Sequence, residues 1–192
     1  MDVTDLERVL VVAATDRELA PAAGWRTLRC GVGPVDAAAA TAAAIALERP
    51  AAIVHVGIAG TRRRRALAPP TIVIGIEARY HDLCVPAEWA PGVIIALPLL
   101  VEAASRALPG APRLAIGTSG RVGGTTDTDV EAMEGFGVLR AAQQAGVPAI
   151  EIRAISNEID QADRSLWQFD AAFAAIVTAT PRIVEEVARC VN

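Results

Sequence analysis

The chain has 192 residues, a formal net charge of −4 and a hydrophobic content of 53%, with a mean hydropathy of +0.37. The acidic balance argues against nucleic acid as a partner, and charged residues or prolines interrupt every apolar run before it could span a membrane. Three scattered cysteines, Cys30, Cys84 and Cys190, lack the spacing of a zinc site or a disulfide framework. We therefore expect one reduced, cytoplasmic α/β domain over residues 1–192, with no bound metal.

The first quarter of the chain alternates between strands and helices. Arg8–Ala14 predicts a buried strand followed by the polar segment Thr15–Glu18, and Trp25–Cys30 predicts a second, shorter strand. Gly31–Pro34 then precedes an alanine-rich helix over Val35–Leu47. The glycines of this turn would let backbone amides approach an anion at the helix N-terminus, although most such turns only join a strand to a helix.

A third strand is predicted over Ala51–Val56, with Gly57–Gly60 as the turn after it. This turn has neither the glycine spacing of a dinucleotide site nor that of a phosphate-binding P-loop. Arg62–Arg65 is interpreted as a solvated surface run, as charge runs between elements usually are. Thr71–Ile76 is a β-branched segment and predicts a further strand.

The pattern continues with a helix over Leu97–Leu108 and a strand over Arg113–Ile116. The polar segment Gly117–Thr126 follows that strand, and such a loop is a common place for ligand contacts. A final amphipathic helix is predicted over Ala171–Ala188, with a kink at Pro181.

The most informative stretch is Glu131–Asp160, which predicts a helix, a turn and a buried strand over Ala149–Ile155. Polar residues, Asn157 among them, lie where that strand should end, and ligands of open α/β sheets bind at such ends. Glu134 at the helix start and Arg153 on the strand could therefore share a pocket. The alternative is an ordinary ion pair, with Glu134 placed by the helix dipole.

Several stretches taken together resemble the purine nucleoside phosphorylase/nucleosidase superfamily, and they occur in that family's order. They are Gly31-Val32-Gly33-Pro34, Gly57-Ile58-Ala59-Gly60, Glu77-Ala78-Arg79-Tyr80-His81-Asp82, Met133-Glu134 and Arg153-Ala154-Ile155-Ser156-Asn157. The resemblance implies a three-layer α/β fold in which helices flank a central mixed, twisted β-sheet.

Within this superfamily the chain looks most like the futalosine hydrolases of menaquinone biosynthesis. The similarity lies in Glu131-Ala132-Met133-Glu134-Gly135, in Ser156-Asn157 and in Asp163-Arg164-Ser165-Leu166-Trp167. It implies hydrolysis of the N-glycosidic bond of futalosine to hypoxanthine and dehypoxanthine futalosine, without a cofactor. In related enzymes the partner subunit completes the pocket, so a homodimer or higher homo-oligomer is expected.

The resemblance also implies catalytic roles, and the chemistry of the bond requires them. Cleavage passes through an oxocarbenium-like sugar, which the carboxylate of Glu134 would stabilise while Met133 packs on the ribose. Glu18 matches the second carboxylate, which orients and deprotonates the attacking water, and Asp16 is its rival. Arg153 would orient Glu134 or help to order the site.

Asn157 departs from the adenine-specific nucleosidases, which carry an aspartate here that can protonate N7. An amide cannot protonate N7, but it can donate a hydrogen bond to N7 or to the C6 carbonyl of hypoxanthine. We therefore expect Asn157 to favour a 6-oxopurine. Two alternatives stay open: a rotated amide could accept from adenine, or Asn157 could merely cap a turn.

Water rather than phosphate is the expected nucleophile. Ile58 stands where related enzymes often have serine, which removes a hydroxyl donor, and Glu18 would repel an anion. We expect base contacts from the backbone of the loop after the Arg113–Ile116 strand and an apolar wall from an aromatic side chain. The remaining candidate substrate-binding residues are Gly57, Ile58, Ala59, Val122, Gly123, Gly124, Phe136 and Trp167.

Two other functions compete with futalosine hydrolysis. One is a nucleosidase that releases adenine from methylthioadenosine, S-adenosylhomocysteine or aminofutalosine. The other is a nucleoside-binding protein without catalysis, since a fold does not fix a function. Retention of both Glu18 and Glu134 argues against the second, because a binder has no need of a carboxylate that activates water.

Overall fold

A computed structural model describes residues 3–125 and 127–191 of the chain. The strands are β1 (Val9–Ala13), β2 (Arg26–Arg29), β3 (Ala52–Thr61), β4 (Ile72–Tyr80), β5 (Val93–Ile95), β6 (Arg113–Thr118), β7 (Val130–Ala132) and β8 (Ala149–Glu158). The α-helices are α1 (Val3–Leu6), α2 (Pro34–Glu48), α3 (Pro98–Ala107), α4 (Gly135–Gln144) and α5 (Phe169–Ala188). Single 3₁₀ turns lie at Asp16–Glu18, Arg63–Arg65 and Arg164–Leu166.

The helices flank a mixed sheet on both faces, which confirms the predicted three-layer α/β fold. Strand β1 illustrates how both faces of the sheet are covered, because its successive side chains point to opposite faces. Val9 and Val11 pack in a core with α3 and α5, whereas Leu10 and Val12 pack in a second core with α2 and α4. All four side chains are fully buried. A continuous apolar run is the pattern expected of a strand covered on both faces.

Five of the strands pair in a closed ring. β3 pairs with β8, β8 with β4, β4 with β6, β6 with β7, and β7 again with β3. β1 and β2 extend the sheet outward from β3 in parallel. Because β1, β3 and β8 are mutually parallel, their carboxyl ends meet at one edge of the sheet.

The two central strands are longer than the sequence indicates. Gly57–Gly60 was predicted as a turn, but it lies inside β3, which continues to Thr61. Ser156 and Asn157 likewise lie within β8, which runs to Glu158. A register shift between Ala59 and Gly60 marks a bulge in the pairing of these strands. Glycine inside a strand often signals a bulge or a close approach rather than an end.

Three further differences concern the flanks of the sheet. The short strands β5 and β7 were not predicted, and helix α4 begins only at Gly135, so Ala132 belongs to a strand. Helix α5 begins at Phe169, two residues before the predicted start at Ala171, and contains Pro181. Thr126, the predicted end of the polar loop, lies outside the described residues.

Candidate functional site

A cavity of about 210 Å³ opens at the sheet edge where β1, β3 and β8 end. Ligands of α/β sheets bind at this edge because the strand ends and the following loops converge there. The residues that line the cavity are Ala14, Thr15, Glu18, Val32, Ile58, Ala59, Gly60, Val122, Glu131, Ala132, Met133, Glu134, Ser156, Asn157, Trp167, Phe169 and Phe173.

Glu18 ends the 3₁₀ turn that follows β1, and its carboxylate is held on both oxygens. Oε2 accepts hydrogen bonds from the amide of Thr15 at 2.9 Å and from its hydroxyl at 2.8 Å. Oε1 accepts from the amide of Ile58 at 3.2 Å. Burial raises the pKa of Glu18, and the opposing effects of Arg153 and the Thr15 hydrogen bond do not cancel this. A buried, oriented carboxyl with a raised pKa is suited to general-base work.

Glu134 lies between β7 and α4, on the other side of the same network. Its Oε1 accepts a hydrogen bond from the amide of Gly33 at 3.2 Å, and its Oε2 accepts one from Arg153 at 3.3 Å. Gly33 precedes helix α2 with a φ of +94°, a conformation that favours glycine. The amide of the glycine turn therefore binds a carboxylate of the protein itself.

Arg153 connects these groups from a fully buried position on β8. Its guanidinium donates to Glu151 at 2.8 Å, to Glu134 at 3.3 Å and to Nε2 of His55 at 2.5 Å. Nδ1 of His55 lies 3.0 Å from the carbonyl oxygen of Val12, which can only accept. His55 therefore carries its proton on Nδ1 and accepts on Nε2, which fixes one edge of the guanidinium.

The network holds more negative than positive groups. Three buried carboxyls, those of Glu18, Glu134 and Glu151, face the single guanidinium of Arg153, while burial and Arg153 lower the pKa of His55 and keep it neutral. Burial also raises the pKa of Glu151, against the lowering effect of Arg153. Burial opposes the charge of Arg153 too, but Glu151, Glu134 and Glu18 together raise its pKa. The guanidinium of Arg153 therefore stays protonated, and the three carboxyls around it share its single positive charge.

Asn157 borders the cavity with its amide held at both ends. Nδ2 donates to the carbonyl oxygen of Glu158 at 2.9 Å, and Oδ1 lies 2.8 Å from the hydroxyl of Ser156. Because the Glu158 carbonyl can only accept, it fixes the amide with Nδ2 as the donor. This contact opposes the rotated amide that would accept from adenine.

Glu131 anchors the loop that carries Val122 over the cavity. Its Oε1 accepts from the amide of Gly123 at 2.5 Å, and its Oε2 accepts from the amide and the hydroxyl of Thr125, both at 2.8 Å. Gly123 has a φ of +74° and does not itself line the cavity. The amides of Gly123 and Thr125 therefore donate to a carboxylate of the protein itself.

Aromatic side chains form one wall of the cavity. Trp167 lies at this wall with Phe169 and Phe173, and its indole nitrogen donates to the carbonyl of Gln161 at 3.0 Å. Phe136 does not contribute, because its ring stacks on Tyr80 at a centroid distance of 5.1 Å, outside the cavity lining.

Most of the candidate residues come together at this cavity. Arg153 and Gly57 lie behind it, and Phe136 and Gly123 lie outside its lining. Sequence reasoning missed the roles of Glu131, Phe169 and Phe173. A signal existed for the two phenylalanines, since they follow Trp167 closely in a chain that is only 4% aromatic. Glu131 belongs to the stretch Glu131–Gly135 that carries the family resemblance, but nothing in the sequence indicated its contacts with the loop.

The described residues also limit other interpretations. They contain no cluster of His, Cys, Asp or Glu side chains arranged to hold a metal ion. Within residues 3–125 and 127–191, no helix is long and apolar enough to cross a membrane.

Comparison with known proteins supports the resemblance. The sequence model of the Phosphorylase superfamily matches residues 26–118. A futalosine hydrolase of Streptomyces coelicolor is 35% identical to this chain, and the match covers 83% of this chain and 78% of that protein. The chain belongs to the futalosine hydrolase family. A match at this identity over most of both chains confirms the predicted family.

Solved structures show the same fold for this member of the futalosine hydrolase family. The futalosine hydrolase of Helicobacter pylori superposes with a TM-score of 0.80 at 15% identity, covering 93% of this chain and 97% of that one. A methylthioadenosine/S-adenosylhomocysteine nucleosidase of Colwellia psychrerythraea, solved in complex with adenine, gives a TM-score of 0.82 at 19% identity, with 93% and 94% covered. The fold is thus shared with both a futalosine hydrolase and a methylthioadenosine/S-adenosylhomocysteine nucleosidase.

Proposed function

We propose that this protein hydrolyses the N-glycosidic bond of futalosine, releasing hypoxanthine and dehypoxanthine futalosine in menaquinone biosynthesis. The observation that carries the proposal is a pair of buried carboxyls, Glu18 and Glu134, that border one cavity. The buried Arg153 forms an ion pair with Glu134, and its charge also acts on Glu18. Family membership supports the choice of substrate.

Glu18 is the general base in this mechanism. Its carboxylate orients a water molecule towards C1′ of the ribose and takes one of its protons as the new C–O bond forms. The raised pKa of Glu18 supports this role, because a base is most effective when its pKa approaches the working pH. The neighbouring negative charges disfavour a phosphate nucleophile, which is consistent with hydrolysis rather than phosphorolysis.

Glu134 stabilises the ribose as positive charge develops on it. Each of its oxygens accepts one hydrogen bond, from Gly33 and from Arg153, and so keeps capacity for a ribose hydroxyl. These two bonds orient the carboxylate before the substrate arrives, which lowers the reorganisation needed in the transition state. Met133 lines the cavity beside Glu134 and packs against the sugar.

The base departs with the electron pair of the C1′–N9 bond. In a 6-oxopurine the resulting negative charge spreads over O6 and the imidazole ring, so a hydrogen-bond donor can stabilise it without transferring a proton. Nδ2 of Asn157 has a second hydrogen beyond the one given to Glu158, and it supplies this donor. Solvent then protonates the released hypoxanthine anion, and Val122 packs against the base from the opposite loop.

We further propose that a second copy of the chain covers the mouth of the site. Val32 and Val122 both line the cavity and are 58% and 43% exposed, respectively. Exposed apolar side chains at a binding site often mark an interface. Sedimentation of the purified protein as a dimer or larger oligomer would support this arrangement, and a monomer at assay concentration would contradict it.

The substrate proposal is tested by product analysis with purified protein. The panel is futalosine, aminofutalosine, methylthioadenosine and inosine, each with and without phosphate. We expect hypoxanthine from futalosine, at a rate independent of phosphate. Adenine as the favoured product would instead assign the sibling nucleosidase activity, and no release of base from any compound would favour a binding protein.

A further inference from the structure

Three aromatic rings along the cavity wall form a ladder with an arginine at each end. Trp167 and Phe169 have centroids 5.4 Å apart, and Phe169 and Phe173 have centroids 6.2 Å apart. The guanidinium carbon of Arg164 lies 5.5 Å from the Trp167 ring, and that of Arg17 lies 4.4 Å from the Phe173 ring. All three rings line the cavity, and all three are partly exposed.

The two arginines differ in their charge environment. Arg17 is paired with Asp170 at 2.6 Å, so its charge is already compensated. Within residues 3–125 and 127–191, Arg164 forms no ion pair with a carboxylate. The nearest acid in sequence, Asp163, instead accepts hydrogen bonds from the amide of Ser165 at 2.9 Å and from its hydroxyl at 2.7 Å.

We propose that this ladder is the subsite for an aryl carboxylate on the 5′ side of the nucleoside, with Arg164 as the residue that binds the carboxylate. The inference rests on the proposed function, since futalosine carries a carboxyphenyl group there. The rings of Phe169 and Trp167 supply the apolar and stacking surface that a phenyl group requires. The uncompensated guanidinium at the Trp167 end supplies a planar donor set that matches a carboxylate.

The turn that carries Arg164 is held in place before any ligand binds. Its 3₁₀ turn is closed by the Asp163 cap on Ser165, and the indole of Trp167 is fixed by its bond to Gln161. Stacking on Trp167 further restricts the guanidinium. A pre-positioned donor loses less conformational freedom on binding, which increases its contribution to affinity.

The test compares futalosine with its methyl ester, which keeps the phenyl group and removes the negative charge. The measured quantity is the ratio of kcat/KM for hypoxanthine release from the acid and from the ester, in the wild type and in Arg164→Gln, Arg164→Lys and Arg17→Gln. We expect the wild type to prefer the acid by about tenfold, the size typical of a hydrogen bond to a charged group. Arg164→Gln should bring the ratio close to one, and Arg164→Lys should keep part of the preference.

Arg17→Gln is the matched control, because Arg17 stacks on the same ladder but is already paired with Asp170. It should keep the full preference for the acid. An unchanged ratio in Arg164→Gln, a loss confined to Arg17→Gln, or a wild type that does not distinguish the two compounds would overturn the assignment of Arg164. Absence of hypoxanthine from both compounds would overturn the proposed function itself, and this inference with it.

Discussion

Gly57 lies directly against the guanidinium of Arg153, and no side chain larger than hydrogen fits between them. A Cβ added at Gly57 would overlap Nη1 of Arg153 and would lie 2.9 Å from Oε1 of Glu18. The glycine therefore does not simply end a strand. It leaves the space that the buried guanidinium occupies.

Gly57→Ala should accordingly damage both activity and stability. The added methyl group must displace the guanidinium, and a small misplacement of catalytic groups can reduce turnover about 100-fold. Overpacking of the core should also lower the free energy of unfolding by about 1–3 kcal/mol. Nucleosidase assays and denaturant unfolding measure the two effects. Gly92→Ala is the matched control, since a Cβ there meets no atom within 4 Å, and it should change neither quantity.

The activity should depend on pH through Glu18. Its pKa is raised above the ordinary value of 4.5 by burial, so the basic form is lost as the pH falls through that raised pKa. We expect kcat/KM to decline on the acid side with a midpoint above that of a free glutamate. A profile that stays flat between about pH 4 and pH 8 would contradict the assignment of Glu18 as the base.

Asn157→Asp should shift preference towards adenine nucleosides. The Glu158 carbonyl that now accepts from the amide would favour a protonated carboxyl at this position, and such a group can protonate N7. The kcat/KM for methylthioadenosine divided by that for futalosine should rise about tenfold or more. A change of this size is expected when a buried polar group gains a hydrogen-bond partner on one substrate and loses it on the other. Asn157→Ala should lower the futalosine rate more than the methylthioadenosine rate, without the gain for adenine nucleosides that the aspartate provides. Equal ratios in all three proteins would refute the role in base recognition.

Glu151→Gln should change how stability depends on pH. The folded-state pKa of Glu151 is raised by burial, so its contribution to stability is complete below the pKa of the unfolded chain and is lost as the pH rises through the folded-state value. Glutamine can still accept from Arg153 but does not titrate. The stability of Glu151→Gln relative to the wild type should therefore increase with rising pH. Denaturant unfolding across the pH range checks this, and a constant difference would show that Glu151 keeps an ordinary pKa.

The sequence predicts the architecture well because the central strands are continuous apolar runs, as in Arg8–Ala14 and Ala51–Val56. The ends of the strands are harder to predict from the sequence. Gly57–Gly60 has the composition of a turn, and only the packing of Arg153 behind it explains why a strand passes through these glycines. β7 depends on pairing with β3 and β6, which the local sequence does not encode.

The site, too, could be predicted from the sequence only in part. Glu18 and Glu134 were identified because their local motifs resemble a family, and both border the cavity. The partners that hold them come from distant parts of the chain: Gly33 binds Glu134 across 101 positions, and Ile58 binds Glu18 across 40. Phe169 and Phe173 look like the apolar face of an ordinary helix until the fold turns them towards the cavity.

Release of hypoxanthine from futalosine in phosphate-free buffer, compared between the wild type and Glu18→Gln, addresses the proposed hydrolysis most directly. Glutamine keeps the size of the side chain and cannot accept a proton from water. We predict steady hypoxanthine release by the wild type and a rate about 100-fold or more lower in the variant, as is usual when a general base is lost. Equal rates in the two proteins, or a wild type that releases only adenine from its nucleosides, would contradict the mechanism.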